Sequence, residues 1–346
     1  MYKRYWLILS FGIILLTVTA FRVIEESDEP PLIVPTPTNI SHPIAVAITP
    51  IATVAPVPTA SVPATLESTP TTQILTPALT ASSDIEHVVI ISVDGLRPDA
   101  IDLAESPTFD TLRANGAYSP NAQTILPSIT LPSHASMLTG MTPEKHGIVW
   151  GLPYIGWPGM AGPTIFSLAH EQGLSTTMIY GKEKFGHLVL ENSVDEVIGG
   201  DAHDPEIKDG AIKVIEAGLP DVLFIHFPDT DRVGHAYGWL SPNQLFAVTF
   251  VDNMISEIVE SLKKEGYFER TLLIITADHG GHDKVHGDDN PEDLTIPWLA
   301  VGPGVRSGVI ISQPITTYDT AATTAHVLKL PRPEKWDGRP VMEIFE

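Results

Sequence analysis

Five apolar runs separated by helical patterns constrain the chain beyond Asp84: "EHVVIISVDG", "TTMIYG", "DVLFIHFPD", "TLLIITADHGG" and "IPWLAVGPG". Apolar, β-branched runs without strict alternation fit strands covered on both faces, and such strands need helices to cover them. "SPTFDTLRANG" and "GPTIFSLAHEQG" carry periodic apolar positions ahead of a glycine. The stretch from Asn243 to Glu265 puts Leu245, Val248, Ile255, Ile258, Val259 and Leu262 around a recurring face. Alternating strands and helices predict an α/β fold with a mostly parallel central sheet flanked by helices and a site at the C-terminal strand ends. We assign this domain to residues 84–346, long enough for a substantial core.

The chain before Asp84 has a different texture. Lys3 and Arg4 precede an apolar stretch from Tyr5 to Phe21, and Glu25, Glu26, Asp28 and Glu29 follow it. Residues 1–24 therefore read as a signal peptide or an N-terminal membrane anchor, with the distal side outside the cytoplasm. Val18 and Ala20 offer a cleavage site, while extension to Ile24 approaches the roughly 20 residues that span a bilayer. Both readings stay open, and each predicts export: membrane-anchored in one case, secreted in the other. Residues 25–83, rich in Pro and Thr, read as an extended linker, because closely spaced prolines interrupt helices and strand ladders alike.

Composition then narrows the chemistry. The chain has no cysteine, which removes disulfides, a cysteine nucleophile and thiolate metal sites, and leaves His and Asp as ligands. A formal charge of -22 excludes a general binder of polymeric nucleic acid, which needs a basic footprint. A small anion is still compatible, since bound cations invert the local field.

Acids stand at the predicted strand ends: Asp94 after "VIISV", Asp229 and Asp231 after "VLFIHFP", Asp278 and His279 after "LLIITA". Each alone fits a turn or cap. Together they form a ligand inventory, because Asp231 and His235 are four residues apart and "DHGGHDKVHG" adds His279, His282 and His286 among glycines. In "TLPSHASMLTG", Thr130 either caps a helix or presents a reactive hydroxyl; Pro132 suits the first turn and Gly140 the stop.

Four blocks, "VDGLRPD", "TLPSHASMLTGMTPEKHGI", "PDTDRVGHAYG" and "ADHGGHDKVHG", occur in this order from Val93 to Gly287. The combination resembles the alkaline phosphatase superfamily, in its type I phosphodiesterase and nucleotide pyrophosphatase branch. The resemblance implies two divalent metal ions, with zinc favoured. Asp94, Thr130, Asp278 and His279 would surround one, and Asp231, His235 and His286 the other. It further implies that Thr130 is the nucleophile and that a small phosphate ester, such as a nucleotide, is cleaved at a phosphodiester or pyrophosphate bond through a phosphothreonine intermediate.

A phosphomonoesterase with the same site and a noncatalytic surface binding protein are the alternatives. His286 is preferred to His282 on the family pattern, and His282 and His134 are placed beside the site. Lys182 and Lys184 in "YGKEKFGHL" either neutralise a substrate phosphate or form a hydrated surface pair. Trp150 either stacks on a base or aryl group or plugs the domain surface. His146 and His226 are expected to position loops.

One departure stands out: similar pyrophosphatases carry an asparagine shortly after "HGI", where this chain reads "HGIVWG". Threonine in "TLPSH", with histidine in place of arginine, opposes a sulfatase reading. The lack of a visible large insertion opposes a phosphoglycerate mutase.

Overall fold

The computed structural model describes residues 85–152 and 159–345. The expected signal or anchor segment 1–24 and linker 25–83 lie outside the described residues, and among those described no helix is long and apolar enough to cross a membrane.

Eight strands form one sheet: β1 (His87–Val93), β2 (Ala117–Gln123), β3 (Thr176–Tyr180), β4 (Glu196–Gly199), β5 (Val222–Phe227), β6 (Thr271–Thr276), β7 (Thr295–Val301) and β8 (Val309–Ile310). Their order is β4-β3-β5-β1-β6-β7-β2-β8. The pairings β4–β3, β3–β5, β5–β1, β1–β6 and β2–β8 are parallel, and β7 alone runs against its neighbours. The fold is therefore mixed α/β with a mostly parallel sheet flanked by helices, as the alternating pattern predicts. The run "IPWLAVGPG" is a strand but an antiparallel one; period and apolarity do not encode direction.

The central strands β1, β5 and β6 are buried along their whole length, which explains their unbroken apolar composition. Their register brings the ends level: Ser92 lies opposite His226 on one side and Thr276 on the other. Residues just past these three strands thus converge at one edge.

The predicted long helix is observed as Pro242–Lys264, capped by Ser241 and burying Val248, Val251, Ile255, Ile258 and Leu262 against the core. The same helix holds a second one in place. Asp252, fully buried, accepts the backbone N–H groups of Thr108 (3.1 Å) and Phe109 (2.8 Å), satisfying the open N-terminus of helix Pro107–Asn115 from outside.

Candidate active site

Asp94 directly follows β1, and its amide continues the ladder to Phe227 at 2.9 Å. Gly95, at φ +70°, turns the chain away so tightly that a Cβ there would lie 3.1 Å from Asp231 Cβ and 3.2 Å from Trp239; only glycine fits both demands. The Gly95 N–H donates to Asp278 Oδ1 (3.1 Å), as does the His279 N–H (3.0 Å). Two backbone donors therefore fix one oxygen of Asp278 and turn the other, Oδ2, inward.

Asp94, Asp278 and His279 form one group of ligating atoms, each residue buried. His279 Nδ1 faces the Gly280 carbonyl at 2.8 Å; a carbonyl only accepts, so Nδ1 carries the hydrogen and Nε2 presents its lone pair. That Nε2 sits 3.3 Å from both Asp94 Oδ1 and Asp278 Oδ2. All three atoms are buried with no hydrogen-bond partner. Three converging acceptors repel one another unless a cation lies among them.

A second group comprises Asp231, His235 and His286. Asp231 and His235 share one face of helix Asp229–Tyr237, four residues apart. His235 Nδ1 donates to the Lys284 carbonyl (2.9 Å) and His286 Nδ1 to the Ser128 carbonyl (2.9 Å), so both Nε2 lone pairs point inward. The two Nε2 atoms lie 3.1 Å apart, each 3.4 Å from Asp231 Oδ1, itself buried without a partner. A divalent ion with nitrogen and oxygen ligands fits both groups.

Thr130 lies between them in the chain's own framework. It is the first residue of helix Thr130–Thr139, almost wholly buried. Two residues upstream, Ser128 holds His286; three residues downstream, Ser133 Oγ donates to the Asp278 carbonyl at 2.6 Å. The capping expectation is corrected: Ile129 is the N-cap and no side chain caps this helix, so the hydroxyl is not engaged in that role. Gly140 ends the helix in the left-handed conformation, as expected.

The surrounding residues are placed as follows. His134 donates from Nδ1 to the Thr130 carbonyl (2.8 Å), accepts from Ser92 Oγ at Nε2 (2.8 Å), and lies 3.4 Å from Asp278 Oδ2, behind the first group. His226 donates from Nε2 to Asp94 Oδ2 (2.8 Å) and orients that carboxylate. His146 bonds Ser136 Oγ and the Ile148 N–H, and so positions the turn after helix Pro143–His146. His282 is turned away to Asp293 Oδ1 (2.7 Å), so His286 is the histidine beside Asp231. Trp150 is partly exposed in that following turn, whose Gly151 approaches Ile129, the residue before Thr130.

Lys182 overturns the hydrated-surface reading for that residue. Its side chain is 12% exposed, and Nζ lies 2.7 Å from Asp94 Oδ2 and 2.5 Å from Asp231 Oδ2, one carboxylate from each group. Burial opposes its charge, but Asp231 and Asp94 prevail and hold its pKa above the ordinary lysine value. Burial likewise opposes ionisation of Asp94 and Asp231, and Lys182 in turn holds both below the usual carboxylate range.

Three residues missed from sequence organise the site. Trp239 donates its indole N–H to the Gly95 carbonyl (2.8 Å) and stands edge-on to His235. A Cβ at Gly281 would lie 2.2 Å from its ring and one at Gly234 2.8 Å, so three ligand-bearing segments close around one indole. Asp293, fully buried, gathers His282 and the N–H groups of Gly287 and Asp288 behind His286. Arg97 pairs with Asp99 and Glu292 and donates to the Gly281 carbonyl (2.9 Å). The glycines flanking each candidate ligand block were the available signal for Trp239; Arg97 stands inside the block "VDGLRPD", and nothing in the sequence marked Asp293.

The sequence profile of a family described as type I phosphodiesterase / nucleotide pyrophosphatase matches residues 88–150 and 176–295. An uncharacterized pyrophosphatase/phosphodiesterase of Schizosaccharomyces pombe is 28% identical over 218 residues, 56% of this chain and 44% of that protein. Ectonucleotide pyrophosphatase/phosphodiesterase family member 3 of Mus musculus is 25% identical over 223 residues, 57% of this chain and 25% of that protein. The match thus spans less than half the length of these curated relatives.

Among solved structures, an inactive murine ectonucleotide pyrophosphatase / phosphodiesterase 5 in complex with AMP superposes with a TM-score of 0.66 at 16% identity, covering 75% of this chain and all of that one. A 2-O GAG sulfatase superposes with a TM-score of 0.64 at 15% identity, covering 75% of this chain and 74% of that one. These superpositions speak to the fold.

Proposed function

Because the chain belongs to the type I phosphodiesterase / nucleotide pyrophosphatase family, we propose that it hydrolyses phosphodiester or pyrophosphate bonds of small substrates, nucleotides among them, at Thr130. The observation that supports this reading is the pair of candidate ligand groups, with Asp94 Oδ1, Asp278 Oδ2, His279 Nε2 and Asp231 Oδ1 buried and unpartnered, tied to the Thr130 segment through the Ser128 carbonyl on His286 and Ser133 on Asp278.

Asp94, Asp278 and His279, with Thr130, would hold one divalent ion, and Asp231, His235 and His286 the other; zinc suits the mixed nitrogen and oxygen donors. Such ions supply charge stabilisation for an attacking hydroxyl and a departing oxygen. The protein's own contribution is positional. Thr130 Oγ1 attacks phosphorus, the bond to the leaving oxygen breaks, and a phosphothreonine forms that water then hydrolyses back to threonine and phosphate or phosphate ester. His134 fixes the Thr130 carbonyl, Gly95 and His279 amides fix Asp278, and His226 fixes Asp94, which limits the freedom of the groups around the reaction.

Residues 84–346 form the catalytic domain in this reading. The Lys3–Arg4 pair ahead of an apolar stretch supports export, as an anchored or a secreted protein. An aryl phosphodiester, a nucleotide pyrophosphate and an aryl sulfate, offered to the zinc-loaded full chain under one condition, test the assignment. Turnover of the phosphorus esters with little of the sulfate is expected. Turnover of none of them, with two metal equivalents bound, would leave a noncatalytic binding protein.

A further inference from the structure

One carboxylate from each ligand group divides its oxygens in the same way. Asp94 Oδ1 lies 3.3 Å from His279 Nε2, and Asp231 Oδ1 lies 3.4 Å from the Nε2 atoms of both His235 and His286. Neither oxygen has a hydrogen-bond partner. The Oδ2 atoms turn the other way, onto a single ammonium: Lys182 Nζ is 2.7 Å from Asp94 Oδ2 and 2.5 Å from Asp231 Oδ2. Lys182, and not the partly buried Lys184 two residues on, makes both contacts.

The backbone beside this lysine is fastened to both carboxylate-bearing segments. The Gly181 N–H donates to His226 Nδ1 (3.4 Å), and the same ring donates from Nε2 to Asp94 Oδ2 (2.8 Å). The Gly181 carbonyl accepts from Arg232 Nη2 (3.0 Å), and Arg232 is the neighbour of Asp231 on helix Asp229–Tyr237. A Cβ at Gly181 would lie 2.5 Å from the Pro228 ring and 2.8 Å from the Ala202 carbonyl, so the chain passes here without room for a side chain. On the far side, Phe185 is fully buried against the rings of His226 (4.2 Å between centroids) and His134 (4.5 Å). Lys182 is thus held from both directions. A solvated surface lysine beside a carboxylate contributes little, but this side chain is 12% exposed and spans two buried carboxylates.

We infer that Lys182 is a positioning residue that ties the two ligand groups together: it occupies one oxygen of Asp94 and one of Asp231, so that each carboxylate offers Oδ1 alone to its own ion and neither bridges the pair. This rests on the two-metal reading above. A carboxylate with both oxygens bare binds a divalent ion through one or two of them, and the second oxygen fills a further ligand position. With both Oδ2 atoms held by a cation, those positions stay open for the oxygens of a phosphoryl group. The ammonium also keeps two like-charged carboxylates apart before any ion is bound.

The test loads the chelator-treated full chain with two equivalents of cobalt(II), whose visible absorption weakens as its coordination number rises, and compares wild type with Lys182→Met, Lys182→Gln and Lys182→Arg. Elemental analysis counts the ions bound, and turnover of an aryl phosphodiester separates kcat from KM. Lys182→Met and Lys182→Gln should still bind two ions, because every ligand residue remains. Their absorption per bound ion should fall about twofold or more as the freed Oδ2 atoms become ligands, with kcat lowered on the order of tenfold or more and KM changed less than about threefold. Lys182→Arg, which keeps the charge and donors for both carboxylates, should recover part of the absorption. An unchanged spectrum in Lys182→Met and Lys182→Gln overturns the inference, as does a loss confined to KM, which would make Lys182 a substrate contact. Fewer than two ions bound, or loss of the fold, in both variants also overturns it. If the wild type binds no cobalt, the two-metal reading fails and the inference with it. If the wild type binds two ions but turns over no phosphate ester, the reading of Thr130 fails, and the spectra still decide the role of Lys182.

Discussion

The rings of His279 and His286 lie face to face, with centroids 3.7 Å apart and planes 14° from parallel, so that one ligand from each group stacks on the other. Their protonation is opposed. Burial works against a charge on His279, but Asp278 and Asp94 overcome it and raise its pKa to about 9. Burial, then the charge on His279, drives His286 down to about 3. Burial, then Asp94, raises Asp278 to about 7. The metal-free first group therefore holds a proton at neutral pH, in the place a cation would take.

Metal binding must expel that proton. We expect zinc titration of the chelator-treated protein at pH 7 to release about one proton or more, measured by calorimetry in buffers of different ionisation enthalpy, with affinity rising between pH 6 and 9. The stability of the metal-free chain carries the matching sign. The raised His279 contributes fully below its unfolded value near 6.5 and loses that contribution as pH rises through about 9. The melting temperature of the chelated protein should thus fall over this window more than that of the loaded one. Zinc uptake without proton release at pH 7 contradicts this arrangement.

His282 and His286 differ in what they hold. His286→Ala should cost about one metal equivalent by elemental analysis and depress turnover severely. His282→Ala removes the bond to Asp293 behind the loop, so both metals should stay bound, with turnover reduced on the order of 10-fold. The reverse pattern would exchange their roles.

Trp239 is the indole on which Gly95, Gly234 and Gly281 converge. Trp239→Ala should destabilise the protein by about 3–5 kcal/mol in denaturant unfolding and lower occupancy of both metal groups together. Trp239→Phe, which fills most of the space but loses the bond to the Gly95 carbonyl, should cost less. Normal metal content in a folded Trp239→Ala variant would show that the indole is packing alone.

The candidate ligand residues were legible because the strands that carry them are central: an unbroken apolar run followed by an acid, as in β1 before Asp94 and β6 before Asp278, marks both the strand and the end where the candidate site lies. The edges were not legible. β2 contains Pro120 at a register shift, β4 is four residues long and mostly exposed, and β8 has two residues, so none shows an apolar period. Lys182 was ambiguous for a related reason. Its partners, Asp94 and Asp231, are far away in sequence, and only the level ends of β1, β3 and β5 bring an apparently solvated lysine between two carboxylates. Trp239 stands one residue past the "PDTDRVGHAYG" block, and its three glycine partners come from three separate segments.

The account centres on Thr130 as the group that takes the phosphoryl moiety. The most direct measurement is to quench the zinc-loaded full chain during turnover of a phosphate ester, digest it, and locate phosphate by mass spectrometry, beside Thr130→Ala treated identically. The account predicts phosphate on the peptide containing Thr130 in the wild type, and none in Thr130→Ala, which keeps its metals and fold but loses on the order of 10³-fold or more in kcat. Near-wild-type turnover in Thr130→Ala, or phosphate trapped on another residue, would contradict it.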